Sequence, residues 1–290
     1  MKNLRYLIEG VLVNLLIGLF RFLPLDVASG IGGFIGRSIG PLLAVNRKAL
    51  RNIRLSLPGK SDKEYRKIIR DMWDNLGRVF AEYPHLEKIA KTRMISEGEE
   101  NLSQIIHSNI PCILFTGHLA NWETAAAYAY KIGINLDLVF RAPNNPYVDK
   151  ILQRCRSMDG KLITYPKSSK GMRDIFSALK SGRRVGILID QKYNQGLPMP
   201  FFGRIAMTSP AFAQLAQRFD CPLHPARIER LKGAHFKIMI YPAMNTKDRT
   251  VEELITESHI MLEKWITERP GQWLWLHRRW RENNHETDNA

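Results

Sequence analysis

Residues 112–132 read CILFTGHLANWETAAAYAYKI, and this stretch decides the fold class. Its first five residues are a continuous apolar run, which is typical of a strand buried on both faces. The stretch from residue 120 onward is rich in alanine and predicts a helix. A strand that passes through a short polar turn into a helix is the repeating unit of α/β proteins.

The same alternation continues along the chain and predicts an α/β fold, a mixed sheet flanked by helices. Upstream, the capping box from Ser61 to Glu64 predicts the start of an amphipathic helix. Ligands of such sheets bind beyond the carboxyl ends of the strands. We expect strands at residues 136–140, 161–165, 185–190, 223–229 and 236–241, and helices at 120–132, 146–158, 170–180, 210–219 and 251–265.

The N-terminus predicts a membrane-associated helix. Residues 6–25 read YLIEGVLVNLLIGLFRFLPL, and a full span needs about 20 mostly apolar residues. The stretch reaches that length only by including Glu9 and Arg21, so spanning the bilayer and lying in its interface both stay open. A signal peptide and a buried core helix are the alternatives.

A second apolar segment, residues 27–45, carries Gly32, Gly36 and Gly40 on one helical stripe. Such glycines allow close helix–helix approach, in a membrane or against a core. We therefore expect a membrane-associated helical segment at residues 1–45 and a catalytic domain at 46–290. Basic residues favour the cytoplasmic side of a membrane, so we expect an inner-membrane protein whose catalytic domain faces the cytoplasm. The basic residues in and after this segment are Arg37, Arg47, Lys48, Arg51 and Arg54.

The net charge of the chain indicates which classes of partner it can bind. There are 43 Lys and Arg against 28 Asp and Glu, a formal net charge of +15. Nucleic acid, an anionic membrane and an acidic or phosphorylated partner all fit such a balance. The chain has no recognisable nucleic-acid-binding module, so we expect no nucleic-acid partner. Its three cysteines indicate neither a disulfide framework nor a zinc site.

His118 and Glu123 carry the candidate chemistry, because they follow the strand at residues 112–116 directly. A carboxylate that holds one imidazole nitrogen protonated leaves the other free to accept a proton. An imidazole suits general-base catalysis at neutral pH. In the alternative interpretation, His118 only caps the helix and Glu123 faces solvent. The HExxH spacing of metalloproteases is absent, and we expect no metal.

The motif GHLANWE, with its H-x-x-x-x-E spacing, resembles the signature of the bacterial lipid A biosynthesis lauroyl/myristoyl acyltransferase family. That family is related to the glycerolipid acyltransferases, whose motif is H-x-x-x-x-D. The other blocks that resemble the family occur in the same order over nearly the whole chain. They are RAPNNPY at 141–147, DQ at 190–191, MPFFG at 199–203, PGQWLW at 270–275 and HRRW at 277–280.

The resemblance implies a glycerolipid-acyltransferase-like fold and an O-acyltransferase that needs no cofactor. Acyl carrier protein would be the thioester donor, and a hydroxyl of a phosphorylated lipid A precursor the acceptor. His118 would deprotonate that hydroxyl while Glu123 orients His118. The alternatives are another glycolipid or lysophospholipid acceptor, or a non-catalytic basic membrane adaptor.

Further site residues follow from the other blocks. Arg141 would stabilise the oxyanion or bind a phosphate, and Asn144 belongs to the same block as a candidate for substrate binding. Asp190 and Gln191 either close the same pocket or only form a local turn. The C-terminal tryptophans either mark the membrane interface or pack into a core.

Overall fold

The computed structural model describes residues 2–108, 110–140, 142–158, 160, 162–166 and 168–280. Within this part of the chain the backbone forms eleven α-helices, joined in places by short 3₁₀ turns. The helices are α1 Lys2–Phe22, α2 Leu25–Ile39, α3 Val45–Ser56, α4 Asp62–Glu82, α5 Leu86–Thr92, α6 Glu99–His107, α7 Thr124–Lys131, α8 Pro146–Arg156, α9 Ser169–Lys180, α10 Ala211–Arg218 and α11 Val251–Glu268.

The strands of these residues form a mixed seven-stranded sheet and a separate hairpin. The sheet has the order β1-β9-β8-β2-β5-β3-β4, and only β8 and β9 pair antiparallel. The hairpin consists of β6 and β7. The strands are β1 Met94–Glu97, β2 Cys112–Thr116, β3 Leu136–Phe140, β4 Thr164–Pro166, β5 Arg184–Leu188, β6 Leu197–Phe201, β7 Arg204–Thr208, β8 Leu223–Lys232 and β9 His235–Ile240.

The central strand β2 is covered on both faces, as its continuous apolar sequence predicts. Ile113 and Phe115 pack into one buried cluster, together with residues of α10 and α11. Cys112 and Leu114 point to the opposite face and pack with residues of α5 and α7. The predicted α/β fold with helices on both sides of a mixed sheet is confirmed.

The glycine stripe of α2 packs against α4. A methyl group on Gly32 would overlap the carbonyl oxygen of Gly77, and one on Gly36 would overlap that of Trp73. Gly40 lies against the Trp73 ring. The stripe therefore serves close packing against a helix of the main body of the protein, one of the two uses predicted for it.

The first helix, α1, contacts α8. The Asn145 side chain donates to the carbonyl oxygen of Tyr6 at 2.9 Å and to Glu9 at 2.9 Å, and Gly10 lies against Tyr147. Among the described residues, α1 is the one single helix that is long and apolar enough to cross a membrane. The division of the chain at residue 45 stays a prediction.

Several elements differ from the sequence-based expectations. The helix expected from residue 120 begins at Thr124, because Ala120 has a positive φ of 50° and residues 117–123 form a turn. The strand predicted at residues 161–165 is observed as β4, Thr164–Pro166. Residue 161, the first of the predicted range, lies outside the described part of the chain. The sequence analysis predicts no strands at the hairpin, whose first strand contains Pro198 and Pro200, residues that are unfavourable inside a sheet. Within the described part of the chain the two strands of the hairpin pair only with each other, so these prolines are tolerated.

Candidate active site

The register of two neighbouring strands brings His118 and Asp190 together. Thr116 at the end of β2 pairs with Leu188 at the end of β5. Both strands run in the same direction, so the residues two positions further on leave the same edge of the sheet side by side. His118 and Asp190 are those residues. This is the carboxyl edge at which α/β proteins bind their ligands.

Asp190 accepts three hydrogen bonds among the described residues, two of them from His118. Nδ1 of His118 lies 2.7 Å from Oδ1 of Asp190, and the backbone N–H of His118 donates to Oδ2 at 2.7 Å. The indole N–H of Trp273 donates to the same Oδ2 at 2.7 Å. Asp190 is completely buried, and His118 is 7% exposed. The pair is therefore rigid and shielded from water.

The electrostatics of the pair fix which nitrogen of His118 carries a proton. Burial acts to raise the pKa of the Asp190 carboxyl, but the charge and the hydrogen bonds of His118 outweigh burial and hold that pKa below its usual value. An ionised carboxylate only accepts hydrogen bonds, so Nδ1 of His118 is the donor. When His118 is neutral its proton therefore stays on Nδ1, and the lone pair of Nε2 is the proton acceptor.

The prediction that Glu123 orients His118 is wrong in its choice of carboxylate. The ring nitrogens of His118 contact Asp190 and Gln191, while Glu123 accepts from Tyr83, Trp122 and Arg156. The physical reason is the turn at residues 117–123, whose positive φ at Ala120 interrupts the helix that the prediction assumed. Glu123 is nevertheless buried and lies in the wall of the same cavity as His118.

Glu123 and Arg156 form a buried ion pair. Nε of Arg156 donates to one carboxylate oxygen at 2.6 Å and Nη2 to the other at 2.6 Å. The Tyr83 hydroxyl donates to Glu123 at 2.8 Å and accepts from Arg156 at 2.9 Å. Burial opposes ionisation, but the Arg156 charge and these hydrogen bonds keep the pKa of Glu123 below its usual value. Glu123 is therefore ionised, and its carboxylate accepts hydrogen bonds from Arg156, Tyr83 and Trp122.

Two aromatic rings flank the His118 imidazole. Trp122 lies edge-on at 4.9 Å between ring centroids and His277 at 4.7 Å. Burial, followed by the neighbouring charge of His118, lowers the pKa of His277 to about 3. His277 is therefore neutral at physiological pH and adds no positive charge beside His118.

Gln191 marks the approach to the proton-accepting nitrogen. Its side-chain nitrogen lies 3.2 Å from Nε2 of His118, and the amide is the donor because Nε2 carries no proton. Gln191 also lines the cavity. A hydroxyl that gives its proton to His118 has to take the place of this amide.

A buried polar network fixes the turn that carries His118. The carbonyl oxygen of Ala120 accepts from Asn75 at 2.9 Å, and its N–H donates to the carbonyl oxygen of Gln272 at 2.8 Å. Asn121 donates to Glu82 at 2.8 Å, and Glu82 is paired with Arg230. These contacts hold Ala120 in the left-handed conformation, which costs free energy for a residue other than glycine.

A cavity of about 940 Å³ opens beside His118 and is lined mainly by apolar side chains. Leu114 and Phe115, which point to opposite faces of the sheet, both contribute to its wall. The polar groups of the wall include His118, Glu123, Arg156 and Gln191. Apolar walls with a few convergent polar groups are typical of sites that bind an apolar ligand at one reactive position.

The other predicted site residues have different outcomes. Arg141 lies outside the residues that the structure describes. Asn144 is exposed and does not line the cavity, whereas its neighbour Asn145 is buried and caps α8 by accepting from the backbone of Tyr147. The C-terminal tryptophans Trp273, Trp275 and Trp280 are buried, which confirms the packed alternative for them.

The sequence of the chain matches a known family. The model of the bacterial lipid A biosynthesis acyltransferases matches residues 1–282, almost the whole chain. The chain belongs to this family. Family membership identifies the protein as an acyltransferase of lipid A biosynthesis.

Curated relatives of this acyltransferase agree with the family. The lipid A biosynthesis palmitoleoyltransferase of Escherichia coli (strain K12) is 24% identical over 272 residues, which cover 89% of this chain and 86% of the relative. The lipid A biosynthesis lauroyltransferase of the same organism is 26% identical over 245 residues, 80% of this chain and 77% of the relative. The crystal structure of the 1-acyl-sn-glycerophosphate acyltransferase PlsC from Thermotoga maritima is 11% identical, with a TM-score of 0.40 over 82% of this chain and 99% of that chain.

Sequence reasoning missed two residues of this acyltransferase site. Arg156 belongs to none of the quoted motifs, and its only signal was its position in the last turn of a predicted helix. Trp273 was noted as an aromatic residue, but nothing in the sequence indicated that its indole reaches Asp190, 83 positions away.

Proposed function

We propose that this protein transfers a fatty acyl chain from the thioester of acyl carrier protein to a hydroxyl of a lipid A precursor, as a secondary acylation of lipopolysaccharide biosynthesis. The observation that carries the proposal is His118, bonded to the buried Asp190, in the wall of a mainly apolar cavity. Family membership supports the lipid acceptor. The hydroxyl belongs to a 3-hydroxyacyl chain of a phosphorylated glucosamine disaccharide.

In the proposed reaction, His118 is the general base. Nε2 takes the proton of the acceptor hydroxyl while the hydroxyl oxygen attacks the thioester carbonyl carbon. The tetrahedral intermediate then expels the thiolate as the C–S bond breaks, and the imidazolium returns the proton to sulfur. Asp190 holds the proton on Nδ1 and stabilises the imidazolium. No acyl-enzyme forms, so no serine or cysteine nucleophile takes part.

Arg156 is our candidate for stabilising the oxyanion. Its Nε and Nη2 are engaged by Glu123 and Tyr83, and Nη1 has no hydrogen-bond partner among the described residues. A guanidinium that is already held in place can stabilise the negative charge that develops on the carbonyl oxygen without a free-energy cost for reorganising the site. Glu123 then contributes by holding Arg156 in place. Arg141 and Asn144 stay predictions for binding the phosphorylated acceptor.

The cavity is the proposed site of the acyl chain. Its volume of about 940 Å³ falls at the upper end of the range for ligand pockets, about 300–1,000 Å³. The apolar wall provides for a hydrocarbon chain, while Gln191 and His118 lie where the carbonyl group would be placed. The reacting groups then meet beside His118, at a polar part of a mainly apolar cavity.

The N-terminal helices are the proposed membrane surface. Exposed apolar side chains on a folded protein mark contact with a membrane or a partner. We propose that this surface lies in the inner membrane with the catalytic domain facing the cytoplasm. The exposed residues are Leu4, Leu7, Ile8, Val11, Leu12, Leu15, Leu16, Leu19 and Phe22 on α1, and Val27, Ile31, Phe34, Ile35 and Ile39 on α2.

The test is acyl transfer by the purified full-length protein in detergent. The donors are acyl carrier protein thioesters of several chain lengths, and the acceptor is a phosphorylated glucosamine disaccharide with 3-hydroxyacyl chains. Loss of a general base typically lowers the rate about 100- to 10,000-fold, and we expect this for His118→Ala. His107→Ala replaces an exposed histidine and serves as control.

Two results would contradict the proposal. One is a His118→Ala variant that transfers acyl groups at the rate of the wild type. The other is an unchanged lipid A mass in a strain from which the gene is deleted, which would point to a different glycolipid or a lysophospholipid as the acceptor.

A further inference from the structure

The segment after α11 runs alongside the turn that carries His118. Leu119 and Trp273 form an isolated antiparallel bridge. The N–H of Ala120 donates to the carbonyl oxygen of Gln272 at 2.8 Å, and the N–H of Leu274 donates to that of His118 at 3.2 Å. The C-terminal segment is thus paired, through its backbone, with the candidate base and the two residues that follow it.

This pairing places the Trp273 indole on the carboxylate that orients His118. Asp190 accepts three hydrogen bonds among the described residues, and two of them come from His118 itself. The third comes from Nε1 of Trp273 at 2.7 Å. Apart from the imidazole, Trp273 is therefore the one side-chain donor of this set, and its indole shares Oδ2 with the backbone N–H of His118.

The Trp273 ring cannot leave this position without disturbing a packed cluster. It is 1% exposed and lies edge-on to Phe201, Trp275 and Trp280, with ring centroids 5.8, 4.6 and 6.4 Å away. Interiors of this kind are packed as closely as organic crystals. The indole N–H consequently points at Asp190 as a fixed donor.

We propose that Trp273 is a positioning residue for acyl transfer, which acts through Asp190 to hold the His118 imidazole in its proton-accepting orientation. This inference rests on the proposed function of His118 as the base. Without the indole N–H, Oδ2 keeps only the backbone N–H of His118 as a donor, so the carboxylate is held less firmly and the imidazole bonded to it can turn more freely. The acyl chain and the acceptor still bind, because Trp273 does not line the cavity.

A structural role in the hydrophobic core is the competing explanation, and Trp275 provides the matched control. Trp275 is completely buried, and its Nε1 donates at 2.8 Å to the carbonyl oxygen of Pro270 rather than to Asp190. Replacing either tryptophan by phenylalanine removes one buried ring and one indole hydrogen bond. Only the replacement at position 273 removes a contact to the carboxylate of Asp190.

The experiment compares Trp273→Phe with Trp275→Phe in the acyl transfer assay described above. Hydrogen bonds to charged groups contribute about 1.5–3 kcal/mol, which corresponds to about a 10- to 150-fold change in rate. We expect Trp273→Phe to lower kcat by about that factor, with the KM for donor and acceptor within about twofold of the wild type. Trp275→Phe should lower kcat by no more than about threefold. Equal kcat values for the two variants would overturn the inference.

A second measurement does not depend on activity. The Nδ1 proton between His118 and Asp190 should give a low-field proton NMR signal in the full-length protein, and His118→Ala identifies that signal by removing it. We expect the signal to persist in Trp275→Phe and to shift or exchange faster in Trp273→Phe. An unaltered signal in Trp273→Phe would contradict the positioning role.

A shape-preserving variant covers the case in which Trp273→Phe does not fold. Benzothienylalanine incorporated at position 273 keeps the two-ring shape and removes only the N–H donor, and the same residue at position 275 is its control. If the wild type transfers no acyl group from any donor, the proposed function fails, while the NMR comparison still decides the positioning role.

Discussion

His118 and Asp190 follow adjacent parallel strands at the same offset, two residues beyond the paired positions Thr116 and Leu188, and Nδ1 of the first lies 2.7 Å from Oδ1 of the second. The sheet register, rather than a flexible loop, therefore sets the geometry of the pair. The backbone N–H of His118 binds the second carboxylate oxygen. A base that is oriented in this way before substrate arrives loses little entropy on reaching the reactive geometry.

The first prediction concerns the charge of Asp190. Asp190→Asn keeps the size of the side chain but can present an N–H to Nδ1, which favours the tautomer of His118 with its proton on Nε2. That tautomer cannot accept the hydroxyl proton, so we expect kcat to fall about 10,000-fold, as the equivalent change does in serine proteases. Asp137→Asn is the control, since Asp137 is also completely buried but bonds to Tyr165 and Arg183. Retention of a tenth of the wild-type kcat by Asp190→Asn would contradict this mechanism.

The position of these two residues at one edge of the sheet could be expected from the sequence, but their pairing could not. Each follows a short apolar strand, and the carboxyl ends of parallel strands share an edge. Which strands are neighbours is a property of the whole sheet, in which β5 pairs with β2 although β3 and β4 come between them in the chain. For this reason the sequence points to Glu123, the carboxylate near His118 along the chain, whereas Asp190 is the carboxylate that bonds to His118 in the structure.

The second prediction concerns the buried ion pair of Glu123 and Arg156. Removing one partner leaves the other charge buried and uncompensated, which typically costs about 3–5 kcal/mol. We expect Glu123→Gln and Arg156→Met each to lower the free energy of unfolding by about that amount. The double variant should lose less than the two single variants together, as a double-mutant cycle in denaturant would measure. Additive losses would show that the two side chains do not depend on each other.

The third prediction is a loss of stability in mild acid. Burial, and then the charge of Arg279, lowers the pKa of His259 to about 4, while an unfolded histidine titrates near about 6.5. Between these values the unfolded chain binds the proton and the folded protein does not, so stability is complete above about pH 6.5 and falls as the pH drops towards 4. His277, with its pKa lowered to about 3, acts in the same direction.

The measurement is the unfolding free energy as a function of pH. The pKa difference of His259 corresponds to a loss of about 3–4 kcal/mol, at about 1.4 kcal/mol per pKa unit. His259→Gln should make the pH dependence between 6.5 and 4 shallower by about one proton. His107→Gln, at an exposed position, should leave the slope unchanged. An equally steep slope in His259→Gln would show that this histidine is not buried as a neutral ring.

The last prediction tests whether α2 belongs to the packed body of the protein or to the bilayer alone. A methyl group on Gly36 would overlap the Trp73 carbonyl oxygen of α4, whereas one on Gly30 of the same helix meets nothing within 4 Å. Overpacking costs about 1–3 kcal/mol, and replacing a helical glycine by alanine gains about 0.5–1 kcal/mol. Gly36→Ala should therefore lower the unfolding free energy in detergent while Gly30→Ala raises it slightly. If both variants gain the same small amount, α2 does not pack on α4 in solution, and its glycine stripe serves a contact within the membrane instead.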